Sequence, residues 1–70
     1  MVTLYEGTNQ GEIIDGNDPL GALIYGYGGN DTLYGRDGDD EIYGGTGNDK
    51  IATGEGTNTA YGEAGNDDIR

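Results

Sequence analysis

From Gly26 to Arg70 the sequence repeats every nine residues without gap or insertion: GYGGNDTLY, GRDGDDEIY, GGTGNDKIA, TGEGTNTAY and GEAGNDDIR. A fixed short period constrains a fold strongly, because each unit is too small to bury its apolar residue alone and must stack on its neighbours. Position 1 of the repeat is Gly26, Gly35, Gly44, Thr53 and Gly62, and position 4 is Gly29, Gly38, Gly47, Gly56 and Gly65 without exception. Position 6 is Asp31, Asp40, Asp49, Asn58 and Asp67; position 8 is Leu33, Ile42, Ile51, Ala60 and Ile69. The pattern extends backward with less fidelity. GTNQGEIID (7–15) places Glu12 at position 6 and Ile14 at position 8. GNDPLGALIY (16–25) has one extra residue, contains Pro19, and has Leu or Ala where the carboxylate should fall. One domain is therefore expected, with an N-terminal edge strand or partial cap over 1–6, degenerate repeats over 7–25 and five in-phase repeats over 26–70.

Each repeat divides into a turn and a strand. Positions 1 to 5 are mostly Gly with Asn or Asp, residues that tolerate positive φ, and such a turn exposes backbone carbonyls. Positions 7 to 9 alternate outward, inward, outward, so TLY, EIY, KIA and DIR each send one aliphatic inward.

Composition then narrows the partners. The 70 residues include 16 Gly and 14 Asp+Glu against 3 Lys+Arg, a net charge of −11. Nucleic acid and anionic membrane surfaces would repel such a chain, whereas cations would be attracted. There is no Cys and no His. That rules out disulfides and argues against zinc or copper. Oxygen is the ligand chemistry on offer, which suits calcium or magnesium. No window approaches a membrane span and no apolar signal core follows Met1, so no cleaved N-terminal export signal or membrane insertion is expected. With no His, Cys or Ser, no catalytic constellation appears, and the chain reads as a non-enzyme.

The repeat resembles the RTX nonapeptide, Gly-Gly-x-Gly-x-Asp-x-aliphatic-x, over roughly residues 7 to 70. The resemblance implies an all-β fold, a right-handed parallel β-roll solenoid with two nonapeptides per turn and about 3.5 turns. It also implies an 18-residue stacking period, with calcium between a loop and the loop two repeats later. The ligands would be Asp oxygens from both loops and backbone carbonyls. On that period Glu12, Asp31, Asp49 and Asp67 stack on one edge. The degenerate loop near Pro19, Asp40 and Asn58 stack on the other. The best expected sites pair Asp31 with Asp49 and Asp49 with Asp67. Glu12 with Asp31 is altered by the longer side chain, Asp40 with Asn58 is weaker, and the loop at 16–22 binds nothing. The turn positions expected to join the metal sites are Gly26, Gly28, Asn30, Gly35, Asp37, Asp39, Gly44, Thr46, Asn48 and Gly62. The carboxylates off position 6, those of Asp37, Asp39, Asp68, Glu41, Glu55 and Glu63, are read as solvated. Stacked carboxylates repel, and a shared divalent ion reverses the sign. One ion in each of five inter-loop gaps would offset nearly all of the −11. So small an apolar content implies that calcium binding is coupled to folding.

Tyr25, Tyr43 and Tyr61 fall at position 9 on the 18-residue period, with Tyr34 on the opposite sheet. They read as a cross-strand ladder, or alternatively as a glycan-binding surface. The expected role is a calcium-dependent structural module of an extracellular or cell-surface protein that self-associates through its open solenoid ends into a fibre. With three and a half turns, a following copy would enter rotated by half a turn. The alternative is a calcium-triggered folding and secretion module from a larger secreted toxin, protease or adhesin.

Overall fold

The computed structural model describes residues 3–16 and 19–70. Among the described residues eight short strands succeed one another: β1 (Thr3–Glu6), β2 (Ile13–Asp15), β3 (Ala22–Tyr25), β4 (Thr32–Tyr34), β5 (Glu41–Tyr43), β6 (Lys50–Ala52), β7 (Thr59–Tyr61) and β8 (Asp68–Ile69). They form two four-stranded sheets, in the orders β1-β3-β5-β7 and β2-β4-β6-β8. Every pairing is parallel. The chain thus crosses to the other sheet at each Gly-rich turn, and two nonapeptides complete one coil of a parallel β-solenoid.

Eight strands make about four turns, not three and a half. The difference is β1, which supplies a full strand although no Gly-rich turn precedes it in the repeat. Val2, expected in the same strand, lies outside the described residues, as do Asn17 and Asp18 of the degenerate repeat.

Register shows where the extra residue goes. Partners in the later pairs are 18 apart, as in Ile24↔Ile42 and Leu33↔Ile51. In the two earliest pairs they are 19 apart, as in Leu4↔Leu23 and Ile14↔Leu33. Both of those pairs span the turn before Ala22, which absorbs the insertion without breaking the inward-outward alternation. A slip within a strand would instead have exchanged the two faces.

The inward residues of position 8 stack into a single column of apolar side chains between the sheets. Ile24, Leu33, Ile42 and Ile51 are fully buried together with Ala22, and Tyr5, Ile14 and Ala60 pack against them half-buried. Ile69, also inward, is 46% exposed because β8 is the last strand of its sheet. On the outer face of the first sheet, Tyr25, Tyr43 and Tyr61 stack with ring centroids 5.0 Å apart and planes 13° apart. Tyr27, at position 2, joins this column 5.8 Å from Tyr25. The ring faces lie against one another, the arrangement of a cross-strand stack that stabilises the sheet.

Two turn positions adopt positive φ, and they differ in a way the sequence reflects. At position 4, φ lies between +84° and +97° and only Gly occurs. At position 2, Tyr27, Arg36 and Glu63 sit at +66° to +67°, in the left-handed region an L-residue can enter at some cost. Arg36 offsets that cost with a two-pronged contact to Asp15 at 2.9 and 3.0 Å and by lying 4.9 Å over the Tyr34 ring. Glu63 is exposed and adds to the negative charge. Glu63→Gly should therefore stabilise the calcium-loaded fold by about 0.5–1 kcal/mol, while Arg36→Gly should not. Thermal melts of the two variants side by side check this.

Candidate metal centre

Position 6 turns its side chain into the space between stacked loops. Asp31 and Asp49 are each 1% exposed and Asp40 is 3% exposed. One oxygen of each carboxylate is committed to the backbone. The N–H of Glu12 donates to Asp31 Oδ1 at 3.0 Å, that of Asp31 to Asp49 Oδ1 at 2.8 Å, and that of Asp49 to Asp67 Oδ1 at 2.9 Å. On the other edge the N–H of Ala22 donates to Asp40 Oδ1 at 2.7 Å, and that of Asp40 to Asn58 Oδ1 at 2.8 Å. This ladder identifies Ala22 as the position-6 residue of the degenerate repeat. The carboxylate edge and the weaker edge expected from the 18-residue period are both assembled as columns.

The second oxygen poses the problem. Oδ2 of Asp31 and Oδ2 of Asp49 are buried without a hydrogen-bond partner. A buried carboxylate oxygen in that condition is costly unless a positive group is supplied. The oxygens point at a space that Gly at position 1 keeps open. A Cβ on Gly26 would lie 2.7 Å from both Asp31 Oδ2 and the Gly44 carbonyl oxygen. A Cβ on Gly44 would lie 2.7 Å from Asp49 Oδ2 and 3.0 Å from the Gly62 carbonyl oxygen. The corresponding distances from Gly35 are 2.6 Å to Asp40 Oδ2 and 2.6 Å to the Thr53 carbonyl oxygen. At Gly62 the three nearest atoms all belong to Asp67, with Oδ2 at 2.5 Å. Carboxylate and carbonyl oxygens from successive turns thus converge on a space that no side chain fills. No three Asp, Glu, His or Cys side chains gather to hold a metal among the described residues. The donor set is instead one of mixed carboxylates and carbonyls, the hard oxygen chemistry that fits calcium.

Residues 23–51 and 43–70 match the family model of the RTX calcium-binding nonapeptide repeat (4 copies), and together these stretches span more than half of the chain. The chain belongs to the RTX calcium-binding repeat family. No curated protein and no solved structure matches it. When bound, calcium supplies the positive charge that the stacked RTX loops lack. The described residues contain no helix long and apolar enough to cross a membrane.

The remaining positions expected at the RTX sites take several parts. Glu12 reaches the same location as the Asp carboxylates, with Oε1 2.6 Å from a Cβ on Gly7, but that oxygen accepts the Thr8 N–H at 2.5 Å. Position 5 forms a second ladder, running opposite to the first. Asn30 Oδ1 accepts the Asn48 N–H at 2.8 Å and Asn48 Oδ1 accepts the Asn66 N–H at 2.9 Å. On the other edge Asp39 Oδ1 accepts the Thr57 N–H at 2.9 Å. Sequence reading missed this ladder, although its signal is a short polar residue at position 5 of every repeat: Asn30, Asp39, Asn48, Thr57 and Asn66. At position 3 the Thr46 N–H donates to the Tyr27 carbonyl at 2.8 Å and the Gly28 N–H to the Thr8 carbonyl at 3.1 Å, while Asp37 is exposed. Asn58 turns its amide nitrogen toward its own loop, 3.1 Å from the Thr53 carbonyl oxygen, 3.3 Å from that of Gly54 and 3.1 Å from that of Glu55.

Burial pushes the Asp31 carboxyl up to about 6, with the Asp49 and Glu12 carboxylates adding to the rise and the Glu12 N–H opposing it. The Asp49 carboxyl is raised as well, again chiefly by burial. The sign follows from linkage. A carboxyl raised in the folded state favours the metal-free fold below its ordinary value near 3.8, and that contribution is lost as pH rises through about 6. Calcium requires the ionised form, so protons compete with it below about pH 6. Calcium affinity measured by calorimetry should fall about tenfold between pH 7 and pH 5. An unchanged affinity would show the carboxyl to be ionised throughout.

Proposed function

We propose that this RTX chain is a calcium-folded structural module that works outside the cell and extends itself by end-to-end stacking. The observation that carries the first part is the column of buried Asp oxygens facing Gly-held space. The proposed ligands are the carboxylates of Asp31, Asp49 and Asp67 on one edge and Asp40 on the other. Backbone carbonyls of the loops beginning at Gly26, Gly35, Gly44 and Gly62 complete them. Sites with one or two carboxylates and several neutral carbonyls belong to the weak end of calcium affinity, about 10⁻⁴–10⁻³ M, the range of extracellular modules.

The second part rests on the ends of the sheets. β7 and β8 are edge strands, and on them Tyr61 and Ile69 are 48% and 46% exposed, whereas Ile51, the partner of Ile69 one turn earlier, is buried. Parallel edges of this kind accept another strand readily. Eight strands put a second copy in phase: its β1 would continue the sheet that ends on β7, and its β2 the sheet that ends on β8, without the half-turn rotation. Its Glu12 loop would then cover the Asp67 loop and bring backbone carbonyls of the second copy over it. Sedimentation velocity at millimolar calcium should show species that grow with protein concentration and dissociate in chelator. A monomer at all concentrations would contradict the stacking.

A further inference from the structure

The loops before β6 and β7 share one backbone course but hold different chemistry at the same point. Gly45 and Gly47 have φ of +84° and +96°, and Gly54 and Gly56 have +79° and +96°. In the first loop the inward-facing atom is Asp49 Oδ2, buried and without a hydrogen-bond partner. In the second it is Asn58 Nδ2, which donates toward the carbonyl oxygens of Thr53, Gly54, Glu55 and Gly56 at 3.1, 3.3, 3.1 and 3.5 Å. The orientation of the amide follows from its other end, since Oδ1 accepts the Asp40 N–H at 2.8 Å. Reversing the group would set an oxygen against carbonyl oxygens and an N–H against an N–H.

We infer that the Asn58 amide is a built-in substitute for a cation, so that the 53–58 loop closes without metal and takes no calcium of its own. The carbonyls of that turn converge whether or not an ion is present, and something positive must face them. An amide N–H group carries enough partial charge to do so at ordinary hydrogen-bond distances. A carboxylate oxygen there has the wrong sign, so the Asp loops need an ion whose place the Asn58 amide takes with hydrogen bonds. The solenoid then contains one metal-independent rung beside its calcium-dependent ones. This assignment differs by one ion from a reading of Asn58 as a weak ligand paired with Asp40. It rests on the proposal that the Asp loops bind calcium.

The test uses the whole chain as wild type, Asn58→Asp and Asn58→Leu. Two quantities are measured: calcium ions bound per chain at saturation by equilibrium dialysis, and the calcium midpoint of the far-UV strand signal. Asn58→Asp should bind one more ion than wild type and recover the same saturated spectrum at a higher midpoint. Asn58→Leu should bind no additional ion and need about tenfold more calcium to fold, because the carbonyls and the Asp40 N–H lose their partner. An unchanged ion count in Asn58→Asp, its failure to fold at any calcium concentration, or an unchanged midpoint in Asn58→Leu would each overturn the inference. Wild type binding no calcium at all would instead overturn the reading on which the inference rests.

Discussion

Asp49→Ala should raise the calcium concentration needed for folding by at least about tenfold, whereas Asp68→Ala should leave it nearly unchanged. Asp49 stands at the centre of the carboxylate column. Its Oδ1 accepts the buried Asp31 N–H at 2.8 Å, and its own N–H donates to Asp67 Oδ1 at 2.9 Å. Truncation leaves the Asp31 N–H unsatisfied in the interior, a cost of about 1–3 kcal/mol before any metal is counted. It also removes the carboxylate proposed to be shared by the ions above and below it, so two sites should weaken together. Asp68 is one link further from Asp67 in a strand, with its side chain half exposed and paired with Arg70 at 3.1 Å. Removing an exposed pair of that kind costs little. Calcium-titrated dichroism on the two variants separates the buried column from general loss of negative charge. Similar midpoints for both would contradict the column as the seat of calcium dependence.

Gly47→Ala should abolish the fold at calcium concentrations that fully fold the wild type. The residue has φ of +96°, outside the left-handed region that L-residues enter readily. A Cβ there would lie 2.2 Å from the Gly29 carbonyl oxygen and 2.7 Å from its carbonyl carbon, backbone atoms of the turn below. Relief would require the stacked loops to separate, and with them the Asn30–Asn48 and Asp31–Asp49 hydrogen bonds. Backbone strain, overlap and lost ladder bonds place the effect above about 4 kcal/mol. Thr46→Ala, one residue away and exposed, is the matched control. Dichroism at saturating calcium reads both. A folded Gly47→Ala variant would contradict the tight stacking of the loops.

These two variants also mark what was legible in the sequence. A nine-residue period with one aliphatic and one carboxylate per unit dictates stacked turns and strands; which Asp residues share a column came from the 18-residue period that the RTX resemblance implies. Period says nothing about which atom of a side chain does what. Asp31, Asn30 and Asn58 all appear as short polar residues in a turn. One presents an unpartnered oxygen to a Gly-held space, one ties loop to loop, and one turns an amide toward carbonyls. Seven nonapeptides give three and a half turns, and the edge strand expected over 1–6 adds the remaining half turn as β1. Tyr27 joined the ring stack although it lies two residues from Tyr25, because positive φ at position 2 brings its ring back over the sheet. Position 4, invariant as Gly in all five repeats, was plain in the sequence, and its reason is plain only in the distance between loops.

Calcium neutralising the buried carboxylate columns is the proposed reason that this chain folds. Far-UV circular dichroism of the wild type in excess chelator, followed by titration with calcium, tests it most directly. A largely disordered spectrum is expected in chelator, with a cooperative gain of strand signal as calcium is added. Strand signal that persists unchanged in excess chelator at neutral pH would contradict it.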